Sequence, residues 1–444
     1  MMQGNETIKV ALVRCGTYNR EEVEAAVEEA IRLLGGFETI FGERDGLRAV
    51  GKDEPIVLKP NLLAKADPQK AVTTHPEVFR AVGRALKEAG YSDLRYGDSP
   101  GNPVISMEKT AEGCGIKAMA DELGIKPGEF GHGRGVEYPR GKAAKGFVLC
   151  NEIADMVESG RGGIVNICKM KTHALERITG AVKNTFGCVY GVNKAASHAR
   201  YESPEYFARM LADLNGLVRP RLHIMDGIVA MEGNGPGSGD PVPMYTILAS
   251  TDPVALDTAF CNLIHLDTDV VPTNTAAQEA GVGCCTEENI RILLGGVPMQ
   301  PEGAEILLDE MSVKYGNRNF NVQRSREFRG GFRILNLFSG LIEKKPVVIE
   351  EKCIGCGICV ETCPVEDKAI KLRPKITTAM AASSMGAGAG VGLGQTEGVP
   401  RNKVAMYNYD RCIRCYCCQE MCPEKAIGIK KSLMAKIIDR RWKV

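Results

Sequence analysis

Near the end of the chain, Cys353-Ile-Gly-Cys356-Gly-Ile-Cys359-Val-Glu-Thr-Cys363-Pro364 is echoed by Cys412-Ile-Arg-Cys415-Tyr-Cys-Cys418-Gln-Glu-Met-Cys422-Pro423. Both follow the C-x2-C-x2-C-x3-C-P spacing, in which three closely set thiolates grip one iron–sulfur cubane and the fourth reaches its neighbour. Two copies predict two 4Fe-4S clusters with crossed ligation. Cys353, Cys356, Cys359 and Cys422 serve one, Cys412, Cys415, Cys418 and Cys363 the other, and Cys417 is left over. Four thiolates also suit structural zinc, but one tetrahedral ion has no need of a duplicated triplet with a distant fourth Cys-Pro. The repeat extends past the cysteines. Val347-Val348-Ile349 and Met406-Tyr407 precede the motifs, and Ala369-Ile370-Lys371-Leu372 and Ala426-Ile427-Gly428-Ile429 follow them, so each half reads strand, cluster loop, short helix, strand.

On these motifs residues 346–430 resemble the bacterial two-cluster ferredoxins. The resemblance implies a small α+β domain and a low-potential electron donor or acceptor protein as partner. Residues 375–403 interrupt it between the motifs, and their centre, Ala381-Ala-Ser-Ser-Met-Gly-Ala-Gly, is low-complexity and lacks the side chains for a core, which predicts a floppy excursion. Residues 431–444 form a basic tail, read as a solvated terminal helix or a dock for an acidic redox partner.

Of the 444 residues, 56 are Lys or Arg and 55 Asp or Glu, so no positive field for nucleic acid is implied. The length suits two or three domains. The N-terminus lacks a signal-peptide pattern, and no apolar run reaches the length of a transmembrane segment. Cysteines outside the motifs show no disulfide framework, which predicts a reducing, cytoplasmic and anaerobic setting.

Residues 1–318 alternate apolar runs with helical patterns: Ile8-Lys-Val-Ala-Leu-Val13, a helix over 21–34, Pro55-Ile-Val-Leu58, a helix after Thr74-His-Pro-Glu77, Leu94-Arg-Tyr-Gly97, a helix over 106–123, extended pairs over 128–150, Gly163-Ile-Val-Asn-Ile167, a helix over 176–186, Arg221-Leu-His-Ile-Met225, Tyr245-Thr-Ile-Leu-Ala249 and a helix over 254–264. This predicts an α/β fold, a mostly parallel sheet with helices on its faces. Lys59 and Asn61, Asp98 and Ser99, Lys169, Lys171 and His173, Asp226, and Asp252 each stand just after an expected strand, where such sheets bind ligands. Singly, each is an ordinary loop residue that caps a helix or solvates a turn; together they predict one site. Lys169, Lys171, His173 and Asp98 are the candidate catalytic groups, and Lys59, Asn61, Lys183 and Asp226 the candidate binding groups, of an electropositive crevice for a small anionic ligand. Gly233-Asn-Gly-Pro-Gly-Ser-Gly-Asp240 lacks the Lys-Ser/Thr of a phosphate loop and reads as a mobile cover for that crevice, with Glu232 and Asp240 as contributors. Residues 319–345 read as an exposed connector carrying a helix at 332–342.

The segments Lys59-Pro-Asn61, Thr74-His-Pro-Glu77, Gly97-Asp-Ser-Pro-Gly101, Lys169-Met-Lys-Thr-His173, Gly180-Ala-Val-Lys-Asn184, Asp226-Gly-Ile-Val-Ala-Met-Glu-Gly-Asn-Gly-Pro236 and Asp252-Pro-Val-Ala-Leu-Asp257, in this order, resemble the domain of unknown function 362 family. The resemblance implies an iron–sulfur protein of undefined reaction and names no substrate. Two functions follow as expectations: a ferredoxin-fused oxidoreductase passing electrons to a small anion, or a non-catalytic electron-transfer or cluster-delivery protein whose front domain binds a partner.

Overall fold

The computed structural model describes residues 7–101, 105–191, 193–296, 304–325, 345–375 and 403–430. The chain divides into two units, Met1–Phe328 and Arg329–Val444. The helix expected at 332–342, the low-complexity centre of the insertion and the basic tail lie outside the described residues.

The first unit is built on a mixed sheet of ten strands. In chain order its strands are β1 (Ile8–Arg14), β2 (Ile56–Pro60), β3 (Leu94–Tyr96), β4 (Lys126–Pro127), then a separate hairpin of β5 (Gly133–Glu137) and β6 (Gly146–Cys150), then β7 (Gly163–His173), β8 (Arg177–Thr179), β9 (Leu222–Glu232), β10 (Asp240–Ser250), β11 (Ile290–Gly295) and β12 (Glu305–Ile306). They lie in the order β12-β11-β1-β10-β9-β7-β2-β3-β4, with β8 paired to the end of β7. The block β9-β7-β2-β3 is parallel throughout, so its carboxyl ends share one edge. The long β9–β10 hairpin makes the sheet mixed, because β10 runs antiparallel to both β9 and β1.

Helices cover both faces, which is why the central strands are apolar on both sides. Ala11 and Val13 of β1 enter one core with Val23 and Val27 of helix Arg20–Leu33 and Val78 and Val82 of helix Pro76–Glu88. Val10 and Leu12 enter the other with Leu256 and Phe260 of helix Pro253–Leu263 and Met311 of helix Leu308–Tyr315. Each such fully buried aliphatic side chain contributes about 1.5–3 kcal/mol of transfer free energy. The helix over 106–123 is two helices, Met107–Gly113 and Ile116–Leu123, parted at Gly115, whose φ of 82° continues neither.

Two departures from the sequence pattern bear on the site. β7 does not stop at Ile167 but continues to His173, and β9 runs through Asp226 to Glu232. Lys169, Lys171, His173 and Asp226 are therefore strand residues, held in register by the pairs Lys169↔Asp226, Lys171↔Thr179 and His173↔Arg177. The expected helix over 176–186 is replaced by β8, the single turn Ala181–Asn184 and a 3-10 turn, Thr185–Cys188. Apolar spacing alone could not register this, because β8 gains its hydrogen bonds from β7 and not from its own sequence.

The start of the expected connector is packed rather than exposed. Phe320 is fully buried against Phe260, Gly233 N–H donates to the Asn321 carbonyl at 2.8 Å, and Arg324 donates to the carbonyls of Ile264 and Phe320.

The second unit shows the duplication directly. Its strands are β13 (Lys345–Val348), β14 (Ile370–Pro374), β15 (Lys403–Tyr407) and β16 (Ile427–Lys430). β13 pairs with β16 and β14 with β15, both antiparallel, so each half closes on the other. The short helices Ile358–Glu361 and Cys417–Glu420 occupy equivalent places. Even the backbone repeats: Gly355 and Gly357 have φ of 71° and 83°, and their counterparts Arg414 and Tyr416 have 57° and 62°. Left-handed backbone costs a non-glycine residue roughly 1–2 kcal/mol, so the second loop holds this shape against side-chain strain.

Candidate functional site

Two sets of chemical groups stand out. In the second unit, Cys353, Cys356, Cys359 and Cys422 line one cavity, of about 360 Å³ counting its open mouth, with Val348, Ile354 and Leu372. Cys363, Cys412, Cys415 and Cys418 line a second, of about 310 Å³, with Pro346, Ile370, Tyr407 and Tyr416. Each cavity thus takes three thiols from one motif and the fourth from the other. Among the described residues no three His, Cys, Asp or Glu side chains are grouped as one metal ion requires; the thiols are spread round a space instead. Soft thiolates in an apolar lining fit an iron–sulfur cluster. Cys417 lines neither cavity; it is buried, with its thiol hydrogen-bonded to Cys415.

In the first unit, the carboxyl end of β2 and the neighbouring middle stretches of β7 and β9 carry several buried, hydrogen-bonded polar sets. Lys59 pairs with Asp98 at 2.9 Å, and the other oxygen of Asp98 accepts from Leu62 N–H at 2.7 Å. Lys169 pairs with Asp226 at 2.7 Å and also donates to the Tyr18 hydroxyl at 2.9 Å, while Tyr18 donates to Asp226 at 2.8 Å. Lys171 donates to the Asn61 side-chain oxygen at 3.0 Å and the Val72 carbonyl at 2.7 Å. Asn61 continues through Asn184 to Asn166 and His223. All three lysines are completely buried.

The structure brings six of the eight candidate residues to this edge, Lys59, Asn61, Asp98, Lys169, Lys171 and Asp226. The two others, His173 and Lys183, make contacts of their own. His173 Nδ1 accepts the amides of Leu175 and Glu176, tying the turn between β7 and β8, and half-buried Lys183 lies 5.9 Å from the Phe186 ring. The character of the cluster differs from an open electropositive crevice, because Lys59 and Lys169 face carboxylates across buried ion pairs. Asp252 caps helix Pro253–Leu263 through the amides of Val254 and Ala255, as its loop position alone would suggest. The glycine segment is the turn of the β9–β10 hairpin. Gly235 sits so close to Thr172 that a Cβ would lie 2.3 Å from the Thr172 carbonyl, which pins this turn against β7. Glu232 accepts from Asn321 N–H.

Tyr18 and Lys194 were not singled out by sequence. Tyr18 follows β1 in a loop without a motif, yet its ring stacks on His75 at 3.5 Å between centroids. His75, and not Thr74, is the N-cap of helix Pro76–Glu88: its Nδ1 accepts Glu77 N–H, while the Thr74 hydroxyl bonds the Ile167 carbonyl and Asn61 N–H. Lys194 donates to oxygens of Ser99 and Pro100. Burial sets the protonation of these groups. It pushes His75 down to about 4 and His223 to about 3, so both are neutral near pH 7. It pushes Lys194 down to about 8, and lowers Lys169 in spite of Asp226. Asp257, whose oxygens accept the amides of Ala181 and Val182, is raised to about 7 by burial. Cys168 is fully buried, a small hydrophobe with its thiol raised by burial.

The fold and these sites define an α/β protein with an iron–sulfur domain at its end. Residues 56–262 match the family described as a domain of unknown function (DUF362), and residues 352–426 match the 4Fe-4S dicluster domain. A thylakoid-associated protein of Synechocystis sp. is 32% identical over 274 residues, which is 62% of this chain and 79% of that protein. The chain belongs to the DUF362 family, here fused to a 4Fe-4S ferredoxin-type domain. No solved structure matches it. Among the described residues no helix is long and apolar enough to cross a membrane.

Proposed function

We propose that this iron–sulfur protein is a ferredoxin-type oxidoreductase that takes electrons from a low-potential partner and passes them to a small anion at the lysine network. The observation that carries the redox half is the division of eight thiols, three and one, round two cavities. On this reading Cys353, Cys356, Cys359 and Cys422 hold one 4Fe-4S cluster and Cys412, Cys415, Cys418 and Cys363 the other. Bound clusters supply single electrons; the polypeptide must supply charge stabilisation and protons.

The network offers both. Lys59, Lys169, Lys171 and Lys194 outnumber Asp98 and Asp226 within this set, which favours a negative ligand at the strand ends. Tyr18, Lys169 and Asp226 form a closed set of hydrogen bonds along which a proton can move. His75, neutral and accepting at Nδ1, carries its proton on Nε2 beside them. The reducing cytoplasm is the setting this chemistry suits.

One observation favours a second reading, an electron carrier or cluster-delivery protein whose front unit binds a partner: the complete burial of Lys59, Lys169 and Lys171 is also what a purely structural network requires. Native mass spectrometry of anaerobically purified protein decides between them. The enzyme reading expects an anionic small molecule retained by wild type and lost from Lys171→Met; no retained molecule in either, with electron transfer to a partner unchanged, favours the carrier.

A further inference from the structure

The two cysteine cavities are related by the repeat but are not chemically equivalent. Tyr407 stands five residues before Cys412, and the residue five before Cys353 is Val348. Each lines the cavity of its own motif. The Tyr407 hydroxyl lies 3.0 Å from Cys418 Sγ, the third cysteine of its motif. Val348, which lines the same cavity as the equivalent Cys359, has only methyl groups to offer. A second difference points the same way: Cys417, whose thiol hydrogen-bonds Cys415, stands where the first repeat has Ile358. Backbone amides serve both cavities, that of Ala426 for Cys422 at 3.2 Å and that of Arg414 for Cys412, so the side-chain donors are what distinguishes them.

We infer that Tyr407 is a potential-setting residue, and that the second-motif site has the higher reduction potential of the two. The inference rests on the two-cluster reading above. A cysteine that ligates iron is a thiolate and can only accept, so the phenol must be the donor in this pair. Hydrogen bonds to cluster sulfurs withdraw charge and favour the reduced, more negative form, which raises the potential. Tyr407 is held for this role. Its ring stacks on Tyr409 with centroids 5.5 Å apart, and Tyr409 is anchored in turn by a 2.9 Å hydrogen bond to the Pro346 carbonyl. Two one-electron centres in one small domain then differ in which is reduced first, and that order gives the electron path a direction.

The test is an EPR-monitored redox titration of the reconstituted full-length protein, with iron counted on the same samples. Wild type is expected to show two waves. Tyr407→Phe, which removes only the hydroxyl, lowers the upper wave and leaves the lower one in place. Incorporation of 3,5-difluorotyrosine at 407, a stronger donor of nearly the same shape, moves the upper wave the other way. Tyr409→Phe, which keeps the Tyr407 hydroxyl, gives a smaller shift than Tyr407→Phe. With full iron content, an unmoved upper wave in both Tyr407 substitutions, or a shift confined to the lower wave, overturns the inference. Wild-type protein that holds iron for fewer than two clusters overturns the underlying cluster reading instead.

Discussion

The cysteines of the second unit and the lysines of the first are assembled by different means. The thiols are local: three of each four fall within seven residues, and the structure only has to bring one from the other repeat. Lys59 of β2 lies more than a hundred residues before Lys169 and Lys171 of β7, and they meet each other and Asp226 of β9 because the three strands are parallel neighbours with a fixed register. Spacing therefore encodes one site and topology the other. The first should tolerate changes in surrounding packing and fail on loss of a single ligand; the second should respond to any change that alters the charge balance of the buried edge.

The largest effect is expected at the cysteine that crosses between repeats. Cys363→Ala should lose about half of the reconstituted iron, since four irons per cubane depend on four ligands, and the loss should fall on the second-motif site. Cys417→Ser should retain all of it. Retention of full iron by Cys363→Ala would break the crossed assignment.

Next comes the buried pair. Lys169→Met leaves Asp226 charged and buried with only Tyr18 and the His75 amide. A cost of about 3–5 kcal/mol is expected in urea denaturation followed by circular dichroism. Adding Asp226→Asn should recover a large part of it. A cost below about 1 kcal/mol, the value of an exposed pair, would mean that the network is wetter than its burial implies.

Asp257 gives a pH test. Its folded pKa of about 7 exceeds the ordinary carboxylate value, so between roughly pH 4 and 7 the folded chain holds a proton that the unfolded chain releases. Wild-type stability therefore carries a penalty that grows as pH rises through this window and is constant above it. Asp257→Asn lacks the group, so its stability relative to wild type should improve by about 1.4 kcal/mol per pH unit there. The opposite slope, or none, would show Asp257 ionised in the fold.

The smallest effect compares two glycines of the first cluster loop. Gly357→Ala meets nothing closer than 3.8 Å and should cost only the left-handed backbone, about 1 kcal/mol. Gly355→Ala should cost more, because its Cβ would lie 2.6 Å from the Lys403 carbonyl oxygen. Equal thermal shifts for the two would contradict this.

Much of this was legible in the chain, for identifiable reasons. The cluster loops and their flanking strands repeat at the level of residue type, so the second unit could be read almost element by element. In the first unit, β1, β2 and β3 and helices Arg20–Leu33, Pro76–Glu88 and Pro253–Leu263 announced themselves by apolar period and caps. The extension of β7 through Lys169 and Lys171 did not, because lysines interrupt an apolar run and only pairing with β9 keeps the strand going. Tyr18 and Lys194 carried no local signal at all; they belong to the network through contacts with residues far along the chain. The ion pairs were hidden too. Sequence placed Lys59 and Asp98 at strand ends but could not say that they face each other, and so suggested an open positive crevice where the structure buries Lys59 and Lys169 against carboxylates.

Two separately ligated cubane clusters in the second unit, the proposal on which the redox reading stands, are tested most directly by iron and acid-labile sulfide analysis of anaerobically reconstituted full-length protein. About eight irons and eight sulfides per chain are expected, four of each per cluster. Zinc in place of iron, or a saturating value of about four irons, would contradict the proposal.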